Sequence, residues 1–359
     1  MSLSVIVAVD NRPQMLTYFF DQLTSSLKPG EDEMIVVSDA CWDARVLKDL
    51  KRLARSNGFV RLIQLNEKVG FGCANNIGVR AAMSDTLVFV NTDVFPDAGA
   101  VHTLADELQT DPSIGAVQGL LVYPQTYRVQ STGHIFSEYL NFHALEGRAA
   151  DHPLVLRRQQ RQALTSAFYA IRKDTFARFG GFDEFYFNAW EGMELTLRFS
   201  HAGMQCIYTP NARAFHVRGG GRRHSPLDET QQIGYFWAKW GSRIRNDLVT
   251  LLAEQLTTEN LRARYFAINC GSTSTWKALI DQLGLSVQGH IQVPDRFESH
   301  VCLYDNVSRA VLVHASPLLF LADHFEQLAG NRAWFHSREN RGDLVIDRRG
   351  NVLPIEELI

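Results

Sequence analysis

Residues 88–94 read VFVNTDV, an apolar run that stops at Asn91, Thr92 and Asp93. Val and Phe suit a strand buried on both faces, and such strands belong to parallel sheets covered by helices. In open α/β sheets, ligands bind in the crevice beyond the carboxyl ends of the strands. A carboxylate at this tip therefore stands where a ligand would be met. Hard divalent cations take oxygen ligands, so one reading of Asp93 is a site for Mg2+ or Mn2+ bridging a diphosphate. The other is a turn before Pro96, because Asp is common at such positions.

The same grammar repeats toward the N-terminus. LSVIVAV (3–9), EMIVVSDA (33–40) and VRLIQLN (60–66) read as buried strands. RPQMLTYFFDQLTSSL (12–27), DARVLKDLKRLARS (43–56, with Asp43 as N-cap) and GCANNIGVRAAM (72–83) read as helices. This alternation implies a mainly parallel, doubly wound sheet with helices on both faces. The strand-end residues to examine are Asp10, Asn11, Ser38, Asp39, Asn66 and Asn91 to Asp93.

From about residue 115 the rhythm changes. GAVQGLLVY (115–123) and TSAFYAIRK (165–173) look like strands on either side of a polar stretch, which suggests a mixed sheet. KDTFARFGGF (173–182) reads as a short helix, MELTLRFSHAG (193–203) as a second, and QCIYTPNARAFHV (205–217) as a strand pair. Residues 226–246, with Trp237 and Trp240 as packing residues, read as a closing helix. The first domain is thus expected over 1–247. Residues 248–359 look like a small α/β accessory domain: 247–256, 274–284 and PLLFLADHFEQLAG (317–330) read as helices, and 300–306, 310–316, 332–337 and 343–351 as strands.

Composition narrows the class. Hydrophobic residues make up 45% and charged residues 21%, which is globular, and the net charge of −3 offers no global field for nucleic acid. The five cysteines are widely spaced without a CxxC pair, which disfavours disulfides and zinc and favours a reducing compartment. No signal-peptide pattern and no run of 18 apolar residues is found, so the expectation is a cytoplasmic protein whose membrane contact, if any, is peripheral. His134, His143 and His152 fit no metal spacing. NEKVGFGCANNIG (66–78) fails as a dinucleotide fingerprint: Asn75 replaces the last glycine and the segment follows the third strand, not the first.

Five stretches in order resemble the family 2 glycosyltransferases of the GT-A fold, in the bacterial branch of rhamnosyl and other polysaccharide transferases. They are SVIVAVDNRPQML (4–16), MIVVSDACWD (34–43), NEKVGFGCANNIGVRAA (66–82), LVFVNTD (87–93) and the segment from SAFYAIRK to RAFH (166–216). The resemblance covers about 4 to 216 and stops before about 245. It implies transfer of a sugar from a nucleotide-diphosphate sugar to a glycan or lipid-linked acceptor, with Mg2+ or Mn2+. Residue by residue, it implies that Asp93 is the metal ligand of an Asn91–Thr92–Asp93 version of the DxD site, with His216 beside the metal and diphosphate. Asp10 and Asn11 would lie near base and ribose, Ser38 and the following Asp39 at the base, and Asn66 and Gly70 around the nucleotide. Asp183, in GGFDE (180–184), would face the sugar. HVRGGGRRH (216–224) would close over the diphosphate with Arg218 and Arg222.

NAWEGMELTLRF (188–199) departs from the family, where an acidic–Asp–x–acidic motif supplies the general base at its second position. Here the motif is Glu191, Gly192, Met193, Glu194. Three readings stay open: Glu191 has taken the role, the reaction proceeds with retention and no base, or the domain binds sugar without turnover. Glu194 and Arg198, four apart, also suit a plain surface ion pair. Trp190 is the candidate for stacking on the acceptor. A nucleotidyltransferase is disfavoured, because DNRPQM (10–15) lacks the glycine-rich loop such an enzyme would want. Oligomeric state, a homodimer included, is open.

Overall fold

The computed structural model describes residues 2–10, 13–137, 140–217, 229–248, 250–251, 254, 265–269, 287–292, 318–322, 342–347, 351–354 and 357. The chain divides into two compact units, residues 1–135 with 143–244, and residues 136–142 with 245–359.

In the first unit β1 (Ser4–Val9), α1 (Pro13–Ser25), β2 (Glu33–Ser38), α2 (Ala44–Ser56), β3 (Val60–Gln64), α3 (Phe71–Ala81) and β4 (Thr86–Val90) alternate as the periodicity implies. There follow β5 (Val94–Pro96), α4 (Ala100–Gln109), β6 (Ile114–Val122) and β7 (Val129–Ser131). A separate two-stranded ribbon is made by β8 (His134–Ser137) and β9 (Leu140–His143), of which residues 136–142 are counted with the second unit. The last elements are β10 (Gln159–Arg161), β11 (Phe168–Arg172), α5 (Lys173–Arg178), α6 (Glu191–His201), β12 (Gln205–His216) and α7 (Glu229–Trp240).

The main sheet runs β3-β2-β1-β4-β11-β6-β12-β10, with β5 added to β12 and β7 to β6. Strands β1 to β4 are mutually parallel, β11 lies antiparallel between β4 and β6, and β12 is parallel to β6. The carboxyl ends of β1, β2, β4, β6 and β12 therefore share one edge. Alternate residues of each strand enter opposite cores. Val7, Val36 and Val88 meet Phe19, Val46, Leu50 and Leu104 on one face. Ile6, Ile35 and Phe89 meet Ala74, Phe176, Leu195 and Phe199 on the other. Two buried faces explain why these strands read as continuous apolar runs.

Two expectations need correction. Residues 205–217 form one long strand, not a pair: β12 keeps its direction through a register shift between Thr209 and Arg213. Pro210 sits in that shift, where its missing N–H interrupts the ladder without ending the strand. In the second unit, Leu318–Ala322 of the expected helix 317–330 is strand β15. A short apolar run buried on both sides carries no period that separates strand from helix. That unit contains β13 (Tyr265–Asn269), β14 (Val287–Gln292), β15, β16 (Leu344–Asp347) and β17 (Val352–Pro354) in the order β14-β13-β15-β16-β17, parallel except for the last pair. The expected elements at 274–284, 300–306, 310–316 and 332–337 lie outside the described residues.

Candidate active site

The tip of β4 and the end of β12 meet. Antiparallel pairing sets His216 opposite Val94, and the Val217 N–H donates to the Asp93 carbonyl at 2.9 Å. The His216 Nε2 consequently lies 3.3 Å from Asp93 Oδ1. Gln130 on β7 fixes the imidazole. Its Nε2 donates to the His216 backbone carbonyl at 3.2 Å, so its Oε1 is the atom that faces Nδ1. A carbonyl oxygen can only accept, hence Nδ1 carries the proton and, in neutral His216, the Nε2 lone pair points at the Asp93 carboxylate. Two acceptors aimed at each other repel unless a proton or a cation lies between them. The same second-partner arrangement orients metal-ligating histidines generally. Asn91 Oδ1, two residues before Asp93, is buried with no hydrogen-bond partner among the described residues. Thr92 occupies the intervening turn, closed by the Val94 N–H to the Asn91 carbonyl at 3.0 Å. Among the described residues no three His, Cys, Asp or Glu side chains gather as a metal site. Asp93 and His216 fit a cation that draws its remaining ligands from phosphate and water, as Mg2+ usually does.

Along the same edge, Asp10 pairs with Lys68 at 3.1 Å. Ser38 is buried at the end of β2. Asp39 is buried too and accepts from the Val69 and Gly70 N–H groups at 2.7 and 3.1 Å. Burial pushes its carboxyl pKa up, and the two amide donors only partly offset that. Asp39 therefore braces the turn before α3. Gly70, at φ 84°, completes that turn, and a Cβ there would meet the Phe187 carbonyl oxygen at 2.4 Å. Asn66 is exposed on the preceding loop. Asn11, Arg218 and Arg222 lie outside the described residues.

The loop before α6 is pinned from both sides. Asn76 on α3 holds the Phe182 backbone N–H and C=O, each at 3.0 Å. Arg198 on α6 donates to the Phe179 carbonyl and, at 2.7 Å, to that of Gly181. Trp190 enters α6 at φ 76°, a conformation unusual for a bulky residue, and packs on Phe236 with ring centroids 4.7 Å apart. Glu191 is 3% exposed. Its charge adds to the burial that drives the Tyr169 hydroxyl pKa well above its ordinary value. Gly192 has no room for a side chain: a Cβ there would lie 2.2 Å from Ser166 Cβ and 2.4 Å from Ser166 Oγ.

Glu194 makes the expected pair with Arg198, at 2.8 Å, but it is fully buried and not on the surface, and it pairs with Lys239 at 2.8 Å as well. Lys239 also reaches Asp183 at 3.3 Å, and Asp183 accepts from the Tyr235 hydroxyl at 3.2 Å. Glu194 and Asp183 thus clamp α7 to α6 and to the 180–184 loop. Trp240 is buried, as its packing role requires. His134 and His143 come together, centroids 4.7 Å apart, although their spacing gave no sign of it. Sequence reasoning missed Gln130, Lys68, Lys239 and Ser166. Only Lys239 carried a signal, as a lone cation among aromatics in YFWAKW (235–240).

The family described as Glycosyl transferase family 2 matches residues 4–171. The O-antigen biosynthesis protein RfbC of Myxococcus xanthus is 24% identical over 249 residues, 67% of this chain and 19% of that protein. An N-acetylglucosaminyl-diphospho-decaprenol L-rhamnosyltransferase of Mycobacterium tuberculosis (strain CDC 1551 / Oshkosh) is 26% identical over 194 residues, 46% of this chain and 62% of that protein. The chain thus spans less than two thirds of either relative. Among solved structures, GalNAc-T7 with UDP, GalNAc and Mn2+ superposes with a TM-score of 0.57 at 14% identity, over 79% of this chain and 54% of that one. The first unit has the GT-A fold, and its residues 4–171 are similar to glycosyltransferase family 2.

Proposed function

We propose that this chain is a metal-dependent glycosyltransferase that moves a hexose or deoxyhexose from a nucleotide-diphosphate sugar to a glycan or lipid-linked acceptor in cell-surface polysaccharide assembly. The observation that carries this reading is the Asp93 carboxylate facing the Nε2 of a histidine whose Nδ1 proton is committed to Gln130. Asp93 and His216 would hold Mg2+ or Mn2+, which when bound would stabilise the charge of the departing diphosphate. Lys68, beside Asp10 at the end of β1, adds a cation on the nucleotide side. The rhamnosyl and O-antigen names of the relatives support the substrate class. Three unpaired cysteines, Cys41, Cys73 and Cys206, support a reducing, cytoplasmic setting.

Glu191 is the base in this proposal. It takes the proton of the acceptor hydroxyl as that oxygen attacks the anomeric carbon, and the bond to the diphosphate breaks with its electron pair, inverting the centre. Gly192 cannot regain a side chain beside Ser166, and Glu194 is enclosed by Arg198 and Lys239. A second reading, a domain that binds nucleotide sugar without turnover, is favoured by the 3% exposure of Glu191, because a base must touch the acceptor. Calorimetry with UDP, GDP and dTDP plus Mn2+ tests the site: Asp93→Ala should abolish metal-dependent binding, and unchanged titrations reject it. Glu191→Gln should slow turnover by roughly 10²–10⁴-fold with donor affinity kept. Donor binding without turnover in the native chain selects the second reading.

A further inference from the structure

The chain carries a net charge of −3, yet one helix face concentrates positive charge. On α2 the exposed residues are Ala44, Arg45, Lys48, Lys51, Arg52, Arg55 and Ser56, which fall on a single stripe at helical spacing. The opposite stripe, Val46 and Leu50, is buried in the core, so the orientation of the helix is fixed. Acidic neighbours partner only two of the cations: Asp43 pairs with Arg45 at 3.0 Å and Asp49 with Arg52 at 3.1 Å. Lys48, Lys51 and Arg55 have no ion-pair partner among the described residues. Like charges three and four apart on a helix repel, so this stripe works against the helix it sits on. Immediately before the helix, Trp42 is 80% exposed.

A basic helix face beside an exposed tryptophan has the chemistry of a membrane-surface contact. The cations meet anionic headgroups and the indole settles at the interface between water and lipid. We propose that α2 and Trp42 dock this chain on an anionic lipid surface. Trp42 follows β2, at the same edge of the sheet as Asp39 and Asp93. Docking there would bring the carboxyl-end edge toward the bilayer, where a lipid-linked acceptor would be presented. That last consequence rests on the proposed function, but the docking itself does not. Nucleic acid is the rival anion. The exposed indole favours lipid.

The test is sedimentation of the full chain with vesicles of phosphatidylcholine alone, and with about one third phosphatidylglycerol, at about 0.1 and 0.5 M salt. The native chain should bind the anionic vesicles and lose affinity as salt rises. The triple variant Lys48→Glu/Lys51→Glu/Arg55→Glu should bind at least ~100-fold more weakly, since each surface cation contributes about fivefold. Trp42→Ala should remove the binding that persists at high salt. Both variants should keep the native melting temperature and native affinity for nucleotide diphosphate with Mn2+. Equal binding to the two vesicle types overturns the proposal, as does a triple variant that binds within twofold of native. A triple variant that loses duplex DNA while keeping vesicles overturns it in favour of nucleic acid. If the native chain binds vesicles but no nucleotide diphosphate, the proposed function fails while the docking surface stands.

Discussion

Replacing Gly192 with alanine separates the structure from helix propensity by the sign of the effect. Gly192 is the second residue of α6. An alanine inside a helix ordinarily gains about 0.5–1 kcal/mol over glycine. The Cβ it adds here would sit 2.2 Å from Ser166 Cβ, 2.4 Å from its Oγ and 2.9 Å from its backbone nitrogen. Carbon pairs prefer about 3.5–4.0 Å, so the new atom intrudes by more than an ångström on a half-buried turn that links to β11. Overpacking of this kind costs about 1–3 kcal/mol, sometimes more. The expected net effect is a loss of roughly 1–2 kcal/mol, or about 2–8 °C in melting temperature at about 2–4 °C per kcal/mol for a unit of this size. Gly192→Asp should fall further, by an additional ~1–3 kcal/mol, because it also buries a carboxylate without a partner. Ser166→Gly removes the two closest atoms, so the double variant Gly192→Ala/Ser166→Gly should recover most of the loss, with a coupling of about 1–3 kcal/mol. Differential scanning calorimetry on the four proteins of the cycle measures this directly. An alanine variant that melts at or above the native temperature, or a double variant with no recovery, refutes the claim that Ser166 occupies the space of a side chain at 192.

Lys239→Met strips the clamp from Glu194 and Asp183 and should cost about 2–4 kcal/mol, somewhat below the full range for a broken buried pair because Lys239 is partly exposed. Burial alone would lower the Lys239 pKa, but the Glu194 and Asp183 carboxylates outweigh it and hold it above 10.5. Its stabilising contribution is therefore full below the ordinary lysine value and is lost as pH rises through the raised one. Melting curves from pH 8 upward should show this alkaline loss in the native chain and not in the Met variant. Gln130→Leu frees the His216 ring and should weaken metal-dependent nucleotide binding by about 10–100-fold, read by titration with and without Mn2+; an unaffected metal-dependent affinity removes Gln130 from the site.

The alternation of strands and helices over residues 4–90 was legible because both faces of the central strands are buried and the helices between them are amphipathic. The Asn91–Asp93 tip was legible for the same reason, since a carboxylate ending an apolar run has few places to go. His216 could be named only through the family resemblance, because it meets Asp93 by a pairing of β5 with β12 that joins residues about 120 positions apart. Gln130 was invisible: it is one polar residue in a three-residue strand, VQS, at 129–131. The strand at 318–322 was misread because Leu-Leu-Phe-Leu fits either period. The glycine at 192 is a departure from the family pattern that the resemblance alone implies. That its space is already filled by Ser166 is a three-dimensional fact with no trace in spacing.

The carboxylates of the ligand edge sort by what they already touch. Asp39 spends both oxygens on backbone amides, and Glu194 spends both on Arg198 and Lys239. Asp183 shares Lys239 and takes a hydroxyl from Tyr235, and Asp10 faces Lys68. An oxygen that already receives a cation inside the protein is not placed to receive a substrate proton or a metal. Asp93 differs in what faces it: the Nε2 of His216 at 3.3 Å, on a ring whose Nδ1 faces Gln130. The departure at Gly192 therefore bears on the proton and not on the proposed metal site. A chain of this design can lose its ordinary base and keep its grip on the donor, which is why donor binding and turnover have to be measured separately here.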